Sequence, residues 1–169
     1  TPTTSSAASD VYKRQSAVSS AISESHVSCP NGNDGAISLS VSGGTPPYNF
    51  SWNSNLFSTK DISGLNAGPY AVTITDDNGC RATNSTTISQ PTTISSTISV
   101  IDVDCNGQNT GSLDITVNGG TSPYTYTWSN SQSVISNAQD LVNFPADVYS
   151  VEVKDNNNCI HNNSKTISQ

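Results

Sequence analysis

The amino-acid sequence predicts an all-β protein made of two tandem β-sandwich domains. Its composition, an internal repeat and a period-two alternation of apolar residues all support this fold class. Only 33% of the 169 residues are hydrophobic, whereas 30 Ser, 19 Thr and 19 Asn together make 68. A helical core would need more apolar mass, but a short strand needs only every second residue to be apolar.

The internal repeat divides the chain into two copies. The stretch CPNGNDGAISLSVSGGTPPYNFSW, from Cys29, matches CNGQNTGSLDITVNGGTSPYTYTW, from Cys105, at an offset of 76 residues. Further along, YAVTITDDNGC from Tyr70 matches YSVEVKDNNNC from Tyr149 at an offset of 79 residues. The second copy therefore has three extra residues in between. Self-similarity at a fixed spacing is typical of tandem-repeat proteins.

The segment 1–16 has no counterpart in the second copy. It contains SAASDVYKRQ, which holds two of the six positive charges and resembles a translated linker artefact of environmental sequence assemblies. A flexible linker and an extended arm that pairs with a neighbouring molecule are the alternatives. We therefore predict one β-sandwich repeat at 17–91 and a second at 92–169.

Three strands are marked in each copy by apolar residues that alternate with polar ones, a pattern typical of strands with one buried face. In the first copy these triads are Ile37, Leu39 and Val41, then Tyr48, Phe50 and Trp52, then Tyr70, Val72 and Ile74. In the second copy they are Leu113, Ile115 and Val117, then Tyr124, Tyr126 and Trp128, then Tyr149, Val151 and Val153. The sequences GGTPP and DDNG break the chain between strands, and Asn and Gly in the latter accept positive φ readily.

Two features favour an immunoglobulin-like sandwich. Trp52 and Trp128 each end a predicted strand, where such sandwiches often bury a tryptophan. The sequence LNAGPY ahead of the next strand resembles a tyrosine corner, in which the Tyr70 hydroxyl bonds back across the connection. The second copy has FPADVY, which keeps Tyr149. We predict that these four aromatic residues belong to the structural cores of two tandem immunoglobulin-like domains.

Each copy contains two cysteines. A domain of about 75 residues buries little surface on folding and usually needs a covalent cross-link or a metal for stability. Pairing Cys29 with Cys80 and Cys105 with Cys159 would contribute about 4 kcal/mol per bridge. Buried thiols are the alternative, and a zinc site is disfavoured because no Cys-x-x-Cys is present. Bridges would place the protein outside the cytoplasm. A single fused globule, or a bridge from one copy to the other, would overturn the interpretation of one small domain present twice.

These motifs together resemble a known family. The cysteine followed six residues later by glycine, the apolar alternation, GGTPPY or GGTSPY, the tryptophan, GLNAGPYAVTITDDNGC and a closing TISQP are similar to the SprB repeat of very large bacterial gliding-motility adhesins. The resemblance is strong in the first copy and weaker between Ser129 and Val148 of the second. It implies a cell-surface or extracellular protein of many tandem β-domains, exported by the type IX system. It supplies no catalytic residues.

Charge and hydropathy exclude two classes of partner. The six Lys and Arg residues are scattered and the formal net charge is −7, whereas nucleic-acid binding needs a basic face. No apolar run approaches the roughly 20 residues of a transmembrane segment. We see no signal peptide, so we expect a mature secreted fragment or a piece of a longer protein.

The residues for enzyme chemistry are also sparse. His26 and His161 are the two histidines, and neither belongs to the framework that the two copies share. A nucleophilic triad needs Ser or Cys beside His, and the G-x-S-x-G motif is not present. The sequence therefore predicts a protein that is not an enzyme.

Clustered side-chain oxygens raise the question of calcium. Asp76, Asp77 and Asp155 lie in Asx-rich segments that offer oxygen ligands. A tight hairpin turn explains the same residues without any metal. We expect no cofactor, with calcium as the less favoured alternative.

Three Asn-x-Ser/Thr sequons begin at Asn49, Asn84 and Asn162. Such sequons mark candidate glycosylation sites on surface loops of secreted proteins. They are the weakest of the site predictions.

These features predict a non-catalytic structural repeat unit of an extracellular filament or of a cell-surface adhesin stalk. The expected partners are further copies of the chain or neighbouring repeats of a longer one. Open sheet edges, or an arm at residues 1–24, would provide contacts between molecules. The alternative function is a module that binds surface polysaccharide through the loops Asn53–Lys60 and Ser129–Asn143.

Overall fold

The computed structural model describes residues 16–53, 55–105 and 107–169 and confirms the predicted all-β class. Thirteen strands are present in these ranges. Within the same ranges there is no helix long and apolar enough to cross a membrane. The segment 1–16, which we predicted to be separate, lies outside the described residues except for Ser16.

The chain forms two compact units. Among the described residues, the first comprises 16–27 together with Asn31–Gln90. The second comprises Ser28–Pro30 together with Pro91–Gln169. The short segment Ser28–Pro30 thus packs with the second unit although its sequence belongs to the first copy. Comparison of the two sequence copies does not predict that this segment packs with the second unit.

The first unit contains six strands, which are β1 Ser19–Ser25, β2 Gly35–Ser42, β3 Asn49–Trp52, β4 Ile62–Leu65, β5 Gly68–Thr75 and β6 Arg81–Ile88. They form two three-stranded antiparallel sheets, β1-β2-β4 and β3-β5-β6. Strand β1 covers part of the arm hypothesised at residues 1–24, and it pairs with β2 of its own unit. This described part of the arm is therefore not an exchanged strand.

The core of the first unit lies between its two sheets. Ile37 and Leu39 of β2 and Val72 and Ile74 of β5 are buried, and Val41 and Tyr70 are half-buried, as the period-two pattern predicts. The fully buried tryptophan of β3 lies opposite Val72 of β5. The buried hydrophobic residues are Val27, Ile37, Leu39, Trp52, Ile62, Leu65, Val72, Ile74 and Ile88.

The second unit contains seven strands, which are β7 Ser95–Ile101, β8 Gly111–Asn118, β9 Thr125–Ser129, β10 Val134–Ser136, β11 Leu141–Phe144, β12 Asp147–Lys154 and β13 Ile160–Ile167. Its sheets have the orders β11-β8-β7 and β10-β9-β12-β13. The three residues by which the second copy is longer fall in the region of β10, which adds a fourth strand beside β9. Its buried hydrophobic residues are Ile94, Val103, Leu113, Ile115, Trp128, Leu141, Tyr149, Val151, Val153, Cys159 and Ile167.

The predicted disulfide pairing is wrong. The structure joins Cys29 to Cys159, with a Cα–Cα distance of 5.6 Å, instead of pairing Cys29 with Cys80 and Cys105 with Cys159. Cys80 is half-buried and Cys105 is exposed, and both lie outside this bond. The disulfide therefore joins a cysteine of the first sequence copy to a cysteine of the second. Each unit nevertheless has its own hydrophobic core.

Strand geometry explains why the predicted pairs do not form. In the first unit, Cys80 immediately precedes β6, whereas Cys29 follows Val27, whose N–H bonds to the carbonyl of Ser89 just beyond the other end of β6. An eight-residue strand spans about 26 Å. A disulfide requires Cα atoms less than about 7 Å apart. The second unit repeats this arrangement, with Val103 N–H bonded to the Ser168 carbonyl beyond β13.

Gly43 is expected to be intolerant of a side chain. It has φ of +70°, and an added Cβ would lie 2.1 Å from the carbonyl oxygen of Ala17. Gly79 has φ of +81° but nothing within 4 Å of an added Cβ. We expect Gly79→Ala to cost about 1 kcal/mol from the left-handed backbone alone, and Gly43→Ala to cost at least about 1 kcal/mol more, because a clash is added. Urea unfolding of both variants measures the difference, and equal losses would contradict the predicted clash.

Candidate functional site

A buried aspartate organises the hairpin turn between β5 and β6. Asp76 is 2% exposed. Its Oδ1 accepts hydrogen bonds from the backbone N–H groups of Asn78, at 3.0 Å, and Cys80, at 2.7 Å. Its Oδ2 accepts from the N–H of Thr45, at 3.0 Å. The carboxylate thus joins the hairpin turn to the Gly-Gly-Thr loop and compensates for its own burial.

The second unit repeats this arrangement around Asp155. Its Oδ1 accepts from the N–H groups of Asn157 and Cys159, at 2.9 and 2.8 Å. Its Oδ2 accepts from the N–H of Thr121, at 2.9 Å. We call the two segments 76–80 and 155–159 the Asp-centred turns.

This geometry favours the turn interpretation of these residues over calcium. Both carboxylates accept several N–H donors, whereas calcium needs six to eight oxygen ligands around one point. Asp77 is exposed beside the first Asp-centred turn. In the part of the chain that the structure describes, no group of three or more His, Cys, Asp or Glu side chains could hold a metal ion.

The second Asp-centred turn also contacts Ser28–Pro30, the segment that contains Cys29. Asn157 Nδ2 donates to the carbonyl of Ser28, at 3.1 Å, and to Thr121 Oγ1, at 3.2 Å. Cys159 follows two residues later and bonds to Cys29. The turn therefore holds Ser28–Pro30 through both a hydrogen bond and a covalent bond. Sequence comparison shows that the two turns are alike but does not show what they bind.

The four aromatic residues predicted for the core occupy similar places in the two units. Trp52 and Trp128 are fully buried, and Tyr149 is 1% exposed, whereas Tyr70 is half-buried against the core of the first unit. The Tyr70 hydroxyl donates to the Asn66 carbonyl at 3.1 Å. The Tyr149 hydroxyl donates to the Pro145 carbonyl at 2.9 Å. These are the contacts that a tyrosine corner makes.

The tryptophans also fix the two loops considered for polysaccharide binding. Trp52 Nε1 donates to the Thr59 carbonyl in the loop Asn53–Lys60, at 3.0 Å. Trp128 Nε1 donates to the Gln139 carbonyl in the loop Ser129–Asn143, also at 3.0 Å. With both indoles buried, these loops gain a rigid support and no aromatic platform from the tryptophans.

Two open grooves lie on the first unit. One, of about 310 Å³, is lined by Ser23, Ser25, Ala36, Ile37, Ser38, Asp61, Ile62 and Ser63. The other, of about 520 Å³, is lined by Ser51, Asn53, Asn55, Ala71, Thr73, Thr75 and Arg81. The described lining residues include no aromatic side chain, so the grooves offer hydroxyl, amide, charged and aliphatic groups.

Asp61 has a structural role in the first groove. Its Oδ1 accepts from the Leu39 N–H at 2.8 Å and from Ser38 Oγ at 3.2 Å. The Leu39 hydrogen bond is the main cause that lowers the pKa of this carboxyl below its usual value, and the neighbouring Lys60 lowers it further. Asp140 makes the corresponding contact to the Ile115 N–H at 3.0 Å.

The two histidines contact strand ends and hydroxyls. His26 Nδ1 accepts from the Ser89 N–H at 3.2 Å. His161 Nε2 lies 3.1 Å from Ser96 Oγ, a pair that the sequence did not suggest. Asn163 Nδ2 also donates to Ser96, both to its carbonyl and to its Oγ. We call this side-chain link between two strands a clamp. The first unit has the same clamp between Asn84 and Ser20 without a histidine. The contacts of Ser96 are therefore explained by the link between strands and do not require a nucleophile beside a base.

The sequons occupy different environments. Asn84 Nδ2 donates to the carbonyl and the hydroxyl of Ser20, both at 3.1 Å, so this amide is part of the clamp. Asn49 is exposed on β3 and Asn162 is exposed on β13. Only these two have side chains exposed to solvent, and glycosylation of either stays a prediction.

The Tyr149 phenol should make the second unit sensitive to alkaline pH. Burial raises its pKa above the usual 10, with a smaller contribution from Asp147. Above pH 10 the unfolded chain loses this proton more readily than the folded one, so stability is complete below pH 10 and is lost as pH rises through the folded-state pKa. Tyr126 has a pKa raised in the same direction, also mainly by burial.

We expect Tyr149→Phe to reduce stability by about 1 kcal/mol at pH 7, because the bond to Pro145 is lost. The same variant should lose stability less steeply above pH 10 than the unchanged chain. Urea midpoints at pH 7, 9, 10 and 11 measure both effects. Tyr126→Phe is the matched control that leaves the Pro145 bond intact, and an unchanged alkaline slope in Tyr149→Phe would contradict the assignment.

The fold and these contacts define tandem immunoglobulin-like β-sandwiches, as predicted. The solved structure of the three N-terminal domains of the bacteriophage RB49 highly immunogenic outer capsid protein (Hoc) is similar to this chain, with a TM-score of 0.55 and 19% identity. The likeness covers 90% of this chain and 59% of that one, so this chain spans less than two thirds of the Hoc structure. It shows the fold alone.

Two further solved structures resemble the chain more weakly. One concerns Dscam isoform specificity, with a TM-score of 0.41 and 13% identity over 91% of this chain and 46% of that one. The other is the N-terminal eight Ig domains of Down syndrome cell adhesion molecule isoform 1.30.30, with a TM-score of 0.42 and 12% identity over 90% of this chain and 24% of that one. The fold assignment does not depend on either.

The family resemblance is confirmed at two segments. The SprB repeat model matches residues 25–57 and 97–133, one segment in each sequence copy. The chain is therefore similar to the SprB repeat at one segment of each sequence copy. No curated protein matches the chain.

Proposed function

We propose that this protein is a non-catalytic structural repeat unit of a bacterial cell-surface adhesin stalk or extracellular filament. The observation that carries the proposal is the match of the SprB repeat model to one segment of each sequence copy, in a chain of two compact units that each have their own core. SprB repeats are found in surface adhesins. Such units would assemble end to end, so that their function is to hold an adhesive part away from the cell.

The polar contacts support a structural role. The buried Asp76 and Asp155 accept backbone N–H donors within their own turns and loops, so they are committed to the fold. The grooves on the first unit contain no histidine, and Asp61 in one of them is committed to the Leu39 N–H. No buried side-chain nitrogen or oxygen lacks a hydrogen bond among the residues that the structure describes.

The disulfide supports a location outside the cytoplasm. Structural disulfides persist in oxidising compartments and are rare in the bacterial cytoplasm. The bond between Cys29 and Cys159 therefore agrees with export to the cell surface. Export through the type IX system is part of the same proposal.

A specific groove keeps polysaccharide binding as a second candidate. The 520 Å³ groove presents hydroxyl, amide and guanidinium groups, which suit the hydroxyls of a sugar chain. Binding to a glycan array that is lost in Arg81→Ala but kept in Lys60→Ala would support this candidate. Equal binding by both variants would exclude the groove as the binding site.

Electron microscopy of the native material tests the main proposal. A fibre or a regular array of domains is the expected result. The purified chain should also form end-to-end assemblies as its concentration increases. A monodisperse monomer at high concentration, together with native material that shows neither fibres nor arrays, would overturn the proposal.

A further inference from the structure

Cys29 belongs to the first sequence copy but packs with the second unit. The segment Ser28–Pro30 that contains it is part of that unit, and Cys29 is half-buried against its hydrophobic core. Its sulfur bonds to Cys159, and the Ser28 carbonyl accepts from Asn157 Nδ2 at 3.1 Å. The second Asp-centred turn therefore binds a cysteine that comes from the preceding sequence copy.

Two hydrogen bonds hold the backbone just before Cys29 beside the far end of β6. The buried Val27 donates its N–H to the Ser89 carbonyl at 3.2 Å. The Ser89 N–H in turn donates to His26 Nδ1, also at 3.2 Å. Because the first unit ends at Gln90, Cys29 follows a backbone that is anchored where the chain leaves this unit.

The second copy repeats these contacts just before Cys105. The buried Val103 donates its N–H to the Ser168 carbonyl at 3.0 Å. The Ser168 N–H in turn donates to Asp102 Oδ1 at 2.7 Å. Asp102 stands in the place of His26, so the side chain differs while the bond is kept. Cys105 is therefore anchored beyond β13 in the way that Cys29 is anchored beyond β6.

The two equivalent cysteines differ in their bonding. Cys29 is in the disulfide, whereas Cys105 is exposed and lies outside it. Cys159 is not available to Cys105, because it is already bonded and because β13, about 26 Å long, separates it from Val103. The second copy thus exposes a thiol at the position where the first copy has a bonded sulfur.

We propose that Cys105 forms a disulfide with the cysteine of an Asp-centred turn in a repeat that follows the second copy in a longer chain. The partner is recognisable by the sequence Asp-x-Asn-x-Cys, which both Asp-centred turns of this chain share. Its Asn side chain would donate to the carbonyl of Asp104, the residue equivalent to Ser28. This inference rests on the proposed function, in its form of a stalk of tandem repeats, and names the covalent contact between one repeat and the next.

The chemistry is a two-thiol oxidation. The Cys105 thiol and the thiol of the following repeat lose two protons and two electrons as their Sγ–Sγ bond forms. The electrons reduce an external disulfide, such as oxidised glutathione or an extracytoplasmic thiol–disulfide oxidoreductase, to two thiols. The exposure of Cys105 gives the oxidant access to its sulfur.

The first test uses the native material. Free thiols are alkylated, and the protein is then digested without reduction and analysed by mass spectrometry. The peptide that contains Cys105 should be linked to a peptide that contains Asp-x-Asn-x-Cys and lies later in the same chain. The Cys29–Cys159 linkage in the same digest controls for intact disulfides.

The second test extends this chain with a duplicate of Pro91–Gln169 placed after Gln169. The duplicate carries Cys105→Ser, so that one Cys105 remains, and Ile160→Val at an exposed site, which marks its cysteine peptide by mass. In a glutathione redox buffer, alkylation of Cys105 should fall at least tenfold relative to the chain without the duplicate. Cys159→Ser in the duplicate is the matched control, and it should restore the alkylation while the Cys29–Cys159 linkage persists.

Three outcomes would overturn the inference. These are a Cys105 that stays alkylated in either experiment, a Cys105 bonded to Cys80, and a Cys105 bonded to Cys105 of another molecule. Electron microscopy of the same native material separates this failure from failure of the proposed function. Fibres or arrays in which Cys105 is a thiol would refute the bond but keep the structural role, whereas a bonded Cys105 in material that shows neither would refute the structural role alone.

Discussion

Asp76→Ala is expected to remove a large part of the stability of the first unit. The substitution removes the acceptor of three backbone N–H groups, those of Thr45, Asn78 and Cys80. A buried donor without an acceptor costs about 1–3 kcal/mol, so we expect a total loss of about 3–5 kcal/mol after partial rehydration. A domain of this size has a stability of about 4–11 kcal/mol. Urea unfolding followed by tryptophan fluorescence measures the loss.

Asp77→Ala is the matched control for this prediction. Asp77 is the next residue, has the same charge and is exposed. Its replacement should change stability by less than about 0.5 kcal/mol. Similar losses in the two variants would show that charge, and not the buried hydrogen bonds, accounts for the effect. Asp155→Ala should have the corresponding effect in the second unit.

Trp52→Ala should destabilise the first unit by about 3–5 kcal/mol. The indole is fully buried, and its Nε1 bonds to the carbonyl of Thr59. Its removal therefore leaves a large cavity in the core and releases the loop that follows β3. Because the variant lacks the tryptophan of this unit, far-UV circular dichroism in urea replaces fluorescence as the measurement. Hydrogen exchange should increase in β2 and β5.

Leu56→Ala provides the comparison for the tryptophan variant. Leu56 lies four residues further along the chain and is 65% exposed. Removing it should cost less than about 1 kcal/mol, because little apolar surface leaves the core. A loss in Trp52→Ala as small as that in Leu56→Ala would contradict the assignment of this tryptophan to the core.

The strands could be predicted because period-two alternation and turn residues act locally. Ile37, Leu39, Val72 and Ile74 are buried as their spacing predicts, and the turn glycines such as Gly43 have positive φ. The role of the acidic turns was also partly accessible from sequence, since an Asx-rich hairpin is a local feature. Burial of Asp76 was not, because it depends on the approach of the Gly-Gly-Thr loop from 31 residues away.

The cysteine pairing could not be predicted in the same way. The repeat shows which cysteines are equivalent, but not at which end of the sandwich each lies. The strand pattern did contain a useful signal. Cys80 immediately precedes a strand of eight residues, and the sequence following that strand is adjacent to Val27 in the folded unit. Only the antiparallel arrangement of the whole unit shows that Cys29 is at the far end.

Strand β10 was also missed. The sequence shows three extra residues in the second copy but gives no alternation over the short segment Val134–Ser136. The pairing is irregular, with a register shift between Val134 and Ser136. Such a strand depends on the neighbouring edge of β9 for its hydrogen bonds, so local propensity does not reveal it.

The Cys29–Cys159 bond has a mechanical consequence for a chain pulled at its two ends. Tension applied before Cys29 passes through the disulfide directly to Cys159. These two cysteines are 130 positions apart in the sequence. The polypeptide between them carries no load while the bond is intact, and it stores about 450 Å of contour length. A reductant would release that length, so the oxidation state of one bond sets how far the molecule can stretch.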